Sequence, residues 1–131
     1  MLRTLEQSID ISAPAGRVWD LVSTSEGLSA WFVDAVVLPG PQGSVTMRFG
    51  PGAEGTVPVL AWDPPHRVRF GMSGGGRVHD IAVTPNGAGC QVRLQDEGVD
   101  EAEAESVAVG WTGFLSKLKA LAEQGSDARS D

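Results

Sequence analysis

Residues 4–11 alternate in hydropathy, with Leu5, Ile9 and Ile11 on one side and Thr4, Glu6, Ser8 and Asp10 on the other. A period of two marks a β-strand with one wet face. At Ser12 the period lengthens. In SAPAGRVWDLV, Pro14 suits a first helical turn, Ser12 or Ala13 stands at the cap, and Val18, Trp19 and Val22 form a short apolar face. A second short helix follows in TSEGLSAWF, with Ser25 as its expected cap and Trp31 near its end.

From there to residue 97 the apolar runs are short. DAVVL, SVTMRF, TVPVLAW, RVRFGM, RVHDIAV and CQVRLQ are split by PGPQG, GPGAEG, DPPH, SGGG and PNGAG. This predicts six strands in an antiparallel meander, and the N-terminal strand makes seven. Pro58 cannot donate to a ladder, so it predicts an edge position or a bulge. Alternation turns Val45, Met47 and Phe49 inward, then Val68, Phe70 and Met72, then His79, Ile81 and Val83, then Val92, Leu94 and Asp96. Two polar side chains, His79 and Asp96, thus fall on apolar faces. If NGAG joins the last two strands with Val83 opposite Val92, Asp96 lies opposite His79; a two-residue slip breaks the pair.

The last element begins in GVDEAEAES, where Asp100 and Glu103 have capping-box spacing. Val107, Trp111, Phe114, Leu115, Leu118, Leu121 and Ala122 then recur at helical steps as one apolar stripe. Gly125 predicts the stop, leaving residues 126–131 as a disordered tail behind a single domain of residues 1–125. A helix of about 24 residues reaches ~36 Å, enough to cross seven strands spanning ~29 Å. Gly110 and Gly113 interrupt this helix beside Trp111, each at a cost of about 1 kcal/mol relative to alanine. Either they leave volume beneath the helix, or the backbone packs closely there against a short helix.

The 131 residues carry a formal net charge of −7 and one cysteine, Cys90. The acidic balance argues against nucleic acid and against an anionic membrane surface as partners. No apolar run approaches the ~20 residues of a membrane span. One cysteine and an N-terminus unlike a signal peptide fit a reduced cytoplasm, the expected location. Two distant histidines and one cysteine are too few ligands for zinc, so neither metal nor cofactor is expected. GPGAEG has the GxGxxG spacing but precedes a strand, so it reads as hairpin punctuation. The six carboxylates from Asp96 to Glu105 read as a solvated approach to a helix N-terminus.

In order and spacing, ISAPAGRVWDLVSTSEGLSAWF, GTVPVLAWDPPHRVRF, IAVTPNGAGCQVRLQDEGV and GWTGFLSKLKAL resemble the heat-shock-protein-90 ATPase activator-like branch of the START/Bet v 1 (SRPBCC) superfamily. The resemblance covers nearly the whole chain. It implies an α+β helix-grip fold: a curved seven-stranded antiparallel sheet around a long C-terminal helix, with two short helices after strand one. It also implies a cavity between helix and sheet that holds an apolar small molecule. The chain departs from the family at Cys90, where Thr is usual, and at Asp96, where His is common. The chaperone-engaging half of the eukaryotic activator has no counterpart in these residues.

Parity and helical phase turn Trp31, Phe49, Phe70, His79, Ile81, Leu94, Asp96, Trp111, Phe114, Leu115 and Leu118 toward such a cavity. Trp31 and Trp111 combine bulk with an N–H to aim; Trp19 reads as core and Trp62 as a strand-end plug. The His79–Asp96 pair has two readings. Inside the cavity the carboxylate fixes the imidazole tautomer and raises its basicity, giving a ligand-hydroxyl or acid–base site. At the sheet's open end it is a half-solvated structural pair. Three functions follow. A non-enzymatic carrier or sensor of a small hydrophobic or aromatic ligand, acting as monomer or homodimer, is expected first. A chaperone co-factor or partner module comes next, then a polyketide cyclase/aromatase-like enzyme using His79 and Asp96.

Overall fold

The computed structural model describes residues 1–48, 50–71 and 77–129, with side chains as far as Gln124. β1 (Leu2–Ile11) leads into α1 (Ala15–Ser23) and α2 (Ser25–Trp31). The meander follows as β2 (Asp34–Leu38), β3 (Ser44–Arg48), β4 (Glu54–Asp63), β5 (Arg67–Gly71), β6 (Val78–Asn86) and β7 (Gly89–Asp100). α3 (Ala104–Arg129) comes last. All pairings are antiparallel in the order β1-β7-β6-β5-β4-β3-β2. Because β1 pairs with β7 while β2 forms the opposite edge, α1 and α2 must carry the chain from one edge of the sheet to the other. α3 lies on the inner face, against β1, β7 and both short helices.

The two short helices share one residue as punctuation. Thr24 Oγ1 donates to the Asp20 carbonyl at 2.6 Å, ending α1, and accepts from the Gly27 N–H at 3.0 Å, capping α2. Ser25, the expected cap, instead holds β2 by accepting from the Val37 N–H at 2.8 Å. α1 starts directly behind Pro14 with no side-chain cap, so neither Ser12 nor Ala13 serves as one. The helices cross at Gly27, where a Cβ would stand 2.5 Å from the Asp20 carbonyl oxygen.

The inward alternation is observed strand by strand. Val45, Met47, Val68, Phe70, Ile81, Val83, Val92 and Leu94 are buried, joined by Val18, Trp19, Val22, Leu28 and Trp31 from the short helices. Burying each large apolar side chain contributes roughly 1.5–3 kcal/mol. Phe49 and Met72 lie outside the described residues. Val83 faces Val92 and Asp96 faces His79, the register expected from the NGAG hairpin.

Three local expectations are corrected. Pro58 lies in an interior strand opposite Ser44, and the irregularity falls just beyond it, between Val59 and Ala61. The Asp100–Glu103 capping box does not form. Pairing of Leu2 with Asp100 keeps this segment extended, and the Asp100 carboxylate accepts from the Ala102 N–H in the turn before α3. At the other end α3 continues past Gly125 to Arg129, since a helix-interior glycine costs only about 1 kcal/mol. Among the described residues no helix is long and apolar enough to cross a membrane.

Glycine substitutions check this packing. Gly27→Ala should cost about 1–3 kcal/mol by forcing α1 and α2 apart. Gly113→Ala, whose Cβ meets nothing within 4 Å, should gain ~0.5–1 kcal/mol. Urea unfolding midpoints for both variants should therefore move in opposite directions.

Candidate functional site

The stripe on α3 packs unevenly. Leu115, Leu118 and Ala122 are 3%, 0% and 0% exposed and close the seam with the sheet. Nearer the start of α3 the helix and sheet part, leaving an open pocket of about 240 Å³ lined by Phe32, Arg77, His79, Val107, Gly110, Trp111 and Phe114. A Cβ on Gly110 would meet nothing within 4 Å, so this glycine leaves the pocket uncovered and does not serve close helix packing. Gly113 has the same open surroundings but faces water, outside the lining.

Aromatic rings form the walls. Phe32 stacks on Trp111 with centroids 5.1 Å apart and planes 19° from parallel, and meets Phe114 edge-on at 5.1 Å. Phe32 is placed by the end of α2, where its N–H donates to the Leu28 carbonyl at 2.8 Å. Larger depressions lie beside Cys90, about 360 Å³, and beside Trp19 and Trp62, about 670 Å³, but polar and turn residues make up most of their linings.

Behind the pocket sits Asp96, 0% exposed. A buried carboxylate is tolerated only when paired and hydrogen-bonded. Arg77 supplies a fork, Nε to Oδ1 at 2.9 Å and Nη2 to Oδ2 at 2.6 Å, and the Trp111 indole N–H donates to Oδ2 at 2.8 Å. His79 is left out. Its Nε2 lies 3.7 Å from Asp96 Oδ1, beyond hydrogen-bonding reach, and its Nδ1 is buried without a partner among the described residues. The imidazole is instead sandwiched by rings, stacked on Phe70 at 5.4 Å and edge-on to Trp111 at 5.4 Å. Burial, only partly offset by the Asp96 charge, pushes its pKa down to about 4. Of the two readings left open for this pair, neither holds in full: both side chains are buried rather than half-solvated, and no hydrogen bond joins them. Register brings the two residues opposite each other, but Arg77 and Trp111 take the carboxylate, and burial lowers the basicity of His79.

One residue along β6, Asp80 points to the other face, 1% exposed, and receives Arg67 and Arg69. Burial alone would raise its pKa, yet the hydrogen bonds from Arg67 and Arg69 hold it below the usual carboxylate range. That cluster braces the outer side of the strand whose inner side carries His79.

The candidate residues separate into three groups. His79, Trp111 and Phe114 line the pocket. Asp96 and Phe70 stand directly behind it through Trp111 and His79. Trp31, Ile81, Leu94, Leu115 and Leu118 belong to the closed core; the Trp31 indole donates to the Leu21 carbonyl at 2.7 Å. Phe49 lies outside the described residues. Sequence reasoning missed Phe32, Arg77 and Val107 as lining residues, and of the two readings it left open for Gly110 the lining fits the one that leaves volume. Arg77 was accessible to it, standing two residues before His79 in the same alternation.

The profile of the family described as polyketide cyclase / dehydrase and lipid transport matches residues 3–123. No curated protein matches the chain. Among solved structures, protein BH1534 from Bacillus halodurans superposes with a TM-score of 0.82 at 19% identity, covering 92% of this chain and 97% of that one. The Aha1 dimer from Colwellia psychrerythraea gives 0.74 at 19%, with 92% and 96% covered. DynU16, from the dynemicin biosynthetic locus, gives 0.79 at 21%, with 93% and 48% covered, so this chain spans about half its length. At such identities the likeness speaks to the fold, which is the START/Bet v 1-like helix grip. The superfamily agrees with the motifs, whereas the matching profile is not that of the activator branch they resemble.

The buried imidazole makes stability depend on pH. Between pH 6.5 and about 4 the unfolded chain binds a proton at His79 that the folded protein excludes. Stability present above this window is therefore lost as pH falls through it, by up to about 3 kcal/mol. Urea unfolding at pH 7 and pH 4.5 should show a steeper decline for the wild type than for His79→Phe. Equal declines would mean that the neutral imidazole is not the cause.

Proposed function

We propose a binding function from one premise: the chain belongs to the polyketide cyclase/dehydrase and lipid transport family. On this reading it is a carrier or sensor that takes up a small, mainly apolar or aromatic molecule between α3 and the sheet. One observation carries the reading, the open pocket walled by Phe32, Trp111 and Phe114 and left uncovered at Gly110. A cavity of roughly 150 Å³ takes up benzene, so the volume of about 240 Å³ suits a molecule of about one or two rings. Apolar contact there contributes ~25 cal/mol per Å² removed from water, before ordering costs.

The site favours holding over turnover. An imidazole with its pKa pushed down to about 4 is a weak general base near neutrality. Asp96 is already committed to Arg77 and Trp111. The cyclase-like reading therefore has less support than the carrier. The chaperone co-factor reading draws on the Aha1 likeness, which carries the fold, and on no side chain of this pocket.

Filling the pocket separates binding from folding. Gly110→Leu should retain or raise the melting temperature, because the site has room and leucine is the better helix former. It should abolish the tryptophan fluorescence change that single-ring and two-ring aromatics produce in the wild type, and Trp111→Phe should mute that change. Undiminished binding by Gly110→Leu would place the ligand elsewhere.

A further inference from the structure

His79 carries hydrogen-bonding capacity that the described residues leave unused. It is 3% exposed and forms part of the pocket wall. Nδ1 has no partner among the described residues, and Nε2 is 3.7 Å from the nearest carboxylate oxygen of Asp96. Buried polar atoms are rarely left so, because an unmade hydrogen bond costs roughly 1–3 kcal/mol. The rest of the lining offers the imidazole only rings, the Val107 side chain, the Gly110 backbone and Arg77. Arg77 has no acceptor, and its guanidinium is already forked onto Asp96.

Charge and tautomer follow from these neighbours. A neutral imidazole has one N–H and one lone pair. The carboxylate lies on the Nε2 side, which favours the proton there and leaves the Nδ1 lone pair as an acceptor without a donor among the described residues. Arg77 and Asp96 neutralise each other, and the chain carries a net charge of −7. The pocket therefore has no uncommitted positive charge among its described lining residues to receive an anion.

We propose that this pocket selects a neutral aromatic molecule bearing a hydroxyl or ring N–H, which donates its hydrogen bond to the His79 imidazole. The inference rests on the binding function above and names its ligand class. Phe32, Trp111 and Phe114 hold the ring, and His79 distinguishes a phenol-like molecule from the bare hydrocarbon. A site built to hydrogen-bond a substrate hydroxyl discriminates against the analogue lacking it more sharply than an apolar wall discriminates by size.

Three probes of similar size test this: p-cresol, toluene and p-toluate, each titrated into the full-length protein at pH 7 and followed by amide NMR shifts. p-Cresol should bind at least about ten-fold more tightly than toluene, and p-toluate more weakly than p-cresol. In the same wild-type titration, p-cresol should shift the Nδ1 resonance of His79 in histidine-labelled protein, while toluene leaves it in place. His79→Phe should keep toluene binding and lose the preference for p-cresol. Equal affinity for p-cresol and toluene, with shifts mapping to α3, would overturn the selectivity while leaving the binding function intact. Tightest binding of p-toluate would overturn it by making Arg77 the anchor. No binding of any probe would overturn both readings.

Discussion

A carboxylate with no exposed surface organises this end of the molecule. Asp96 sits on the inner face of β7, where an unpaired charge would cost several kcal/mol. Its partners come from two directions, Arg77 beside β6 and the Trp111 indole from α3. The indole bond is directional, so it fixes both the rotation of α3 about its axis and the plane of the Trp111 ring. Once that plane is set, Phe32 can stack on it and Phe114 can meet both rings. The aromatic wall of the pocket is thus a consequence of satisfying one charge.

The same arrangement explains why the seam closes at one end and opens at the other. Toward the end of α3, Leu115, Leu118 and Ala122 are small enough and suitably phased to interlock with the sheet. Toward its start a tryptophan must reach a carboxylate, and neighbouring Gly110 has no side chain to occupy the remaining volume. Helix α3 is also tied to β1, where Gln7 donates to the Ala108 carbonyl at 2.8 Å, so this half of the helix cannot simply collapse inward. His79 is left between rings and a neutralised ion pair, which accounts for both its low basicity and its unused nitrogen.

Much of this frame was legible from residue order. Strict alternation, the NGAG hairpin and the stripe on the last helix identified the sheet, the inward faces and the His79–Asp96 register. The bonds themselves were not. Register states which residues are opposite, and two side chains opposite each other still compete with third parties; here a guanidinium fork and an indole outbid the imidazole for Asp96. Phe32 escaped notice because it follows the last turn of a short helix, outside both periodicities. The Asp100–Glu103 spacing misled because pairing with Leu2, at the far end of the chain, outweighs a local capping signal. Gly110 and Gly113 looked equivalent in sequence, and only their helical phase separates the pocket edge from the wet face.

A crystal structure of the protein grown with a saturating single-ring aromatic addresses the central claim most directly. The account predicts ligand density between Phe32, Val107, Trp111 and Phe114, with the Trp111 indole still donating to Asp96. Density confined to the groove beside Trp19 and Trp62, or a Trp111 ring swung in to fill an empty seam, would contradict it.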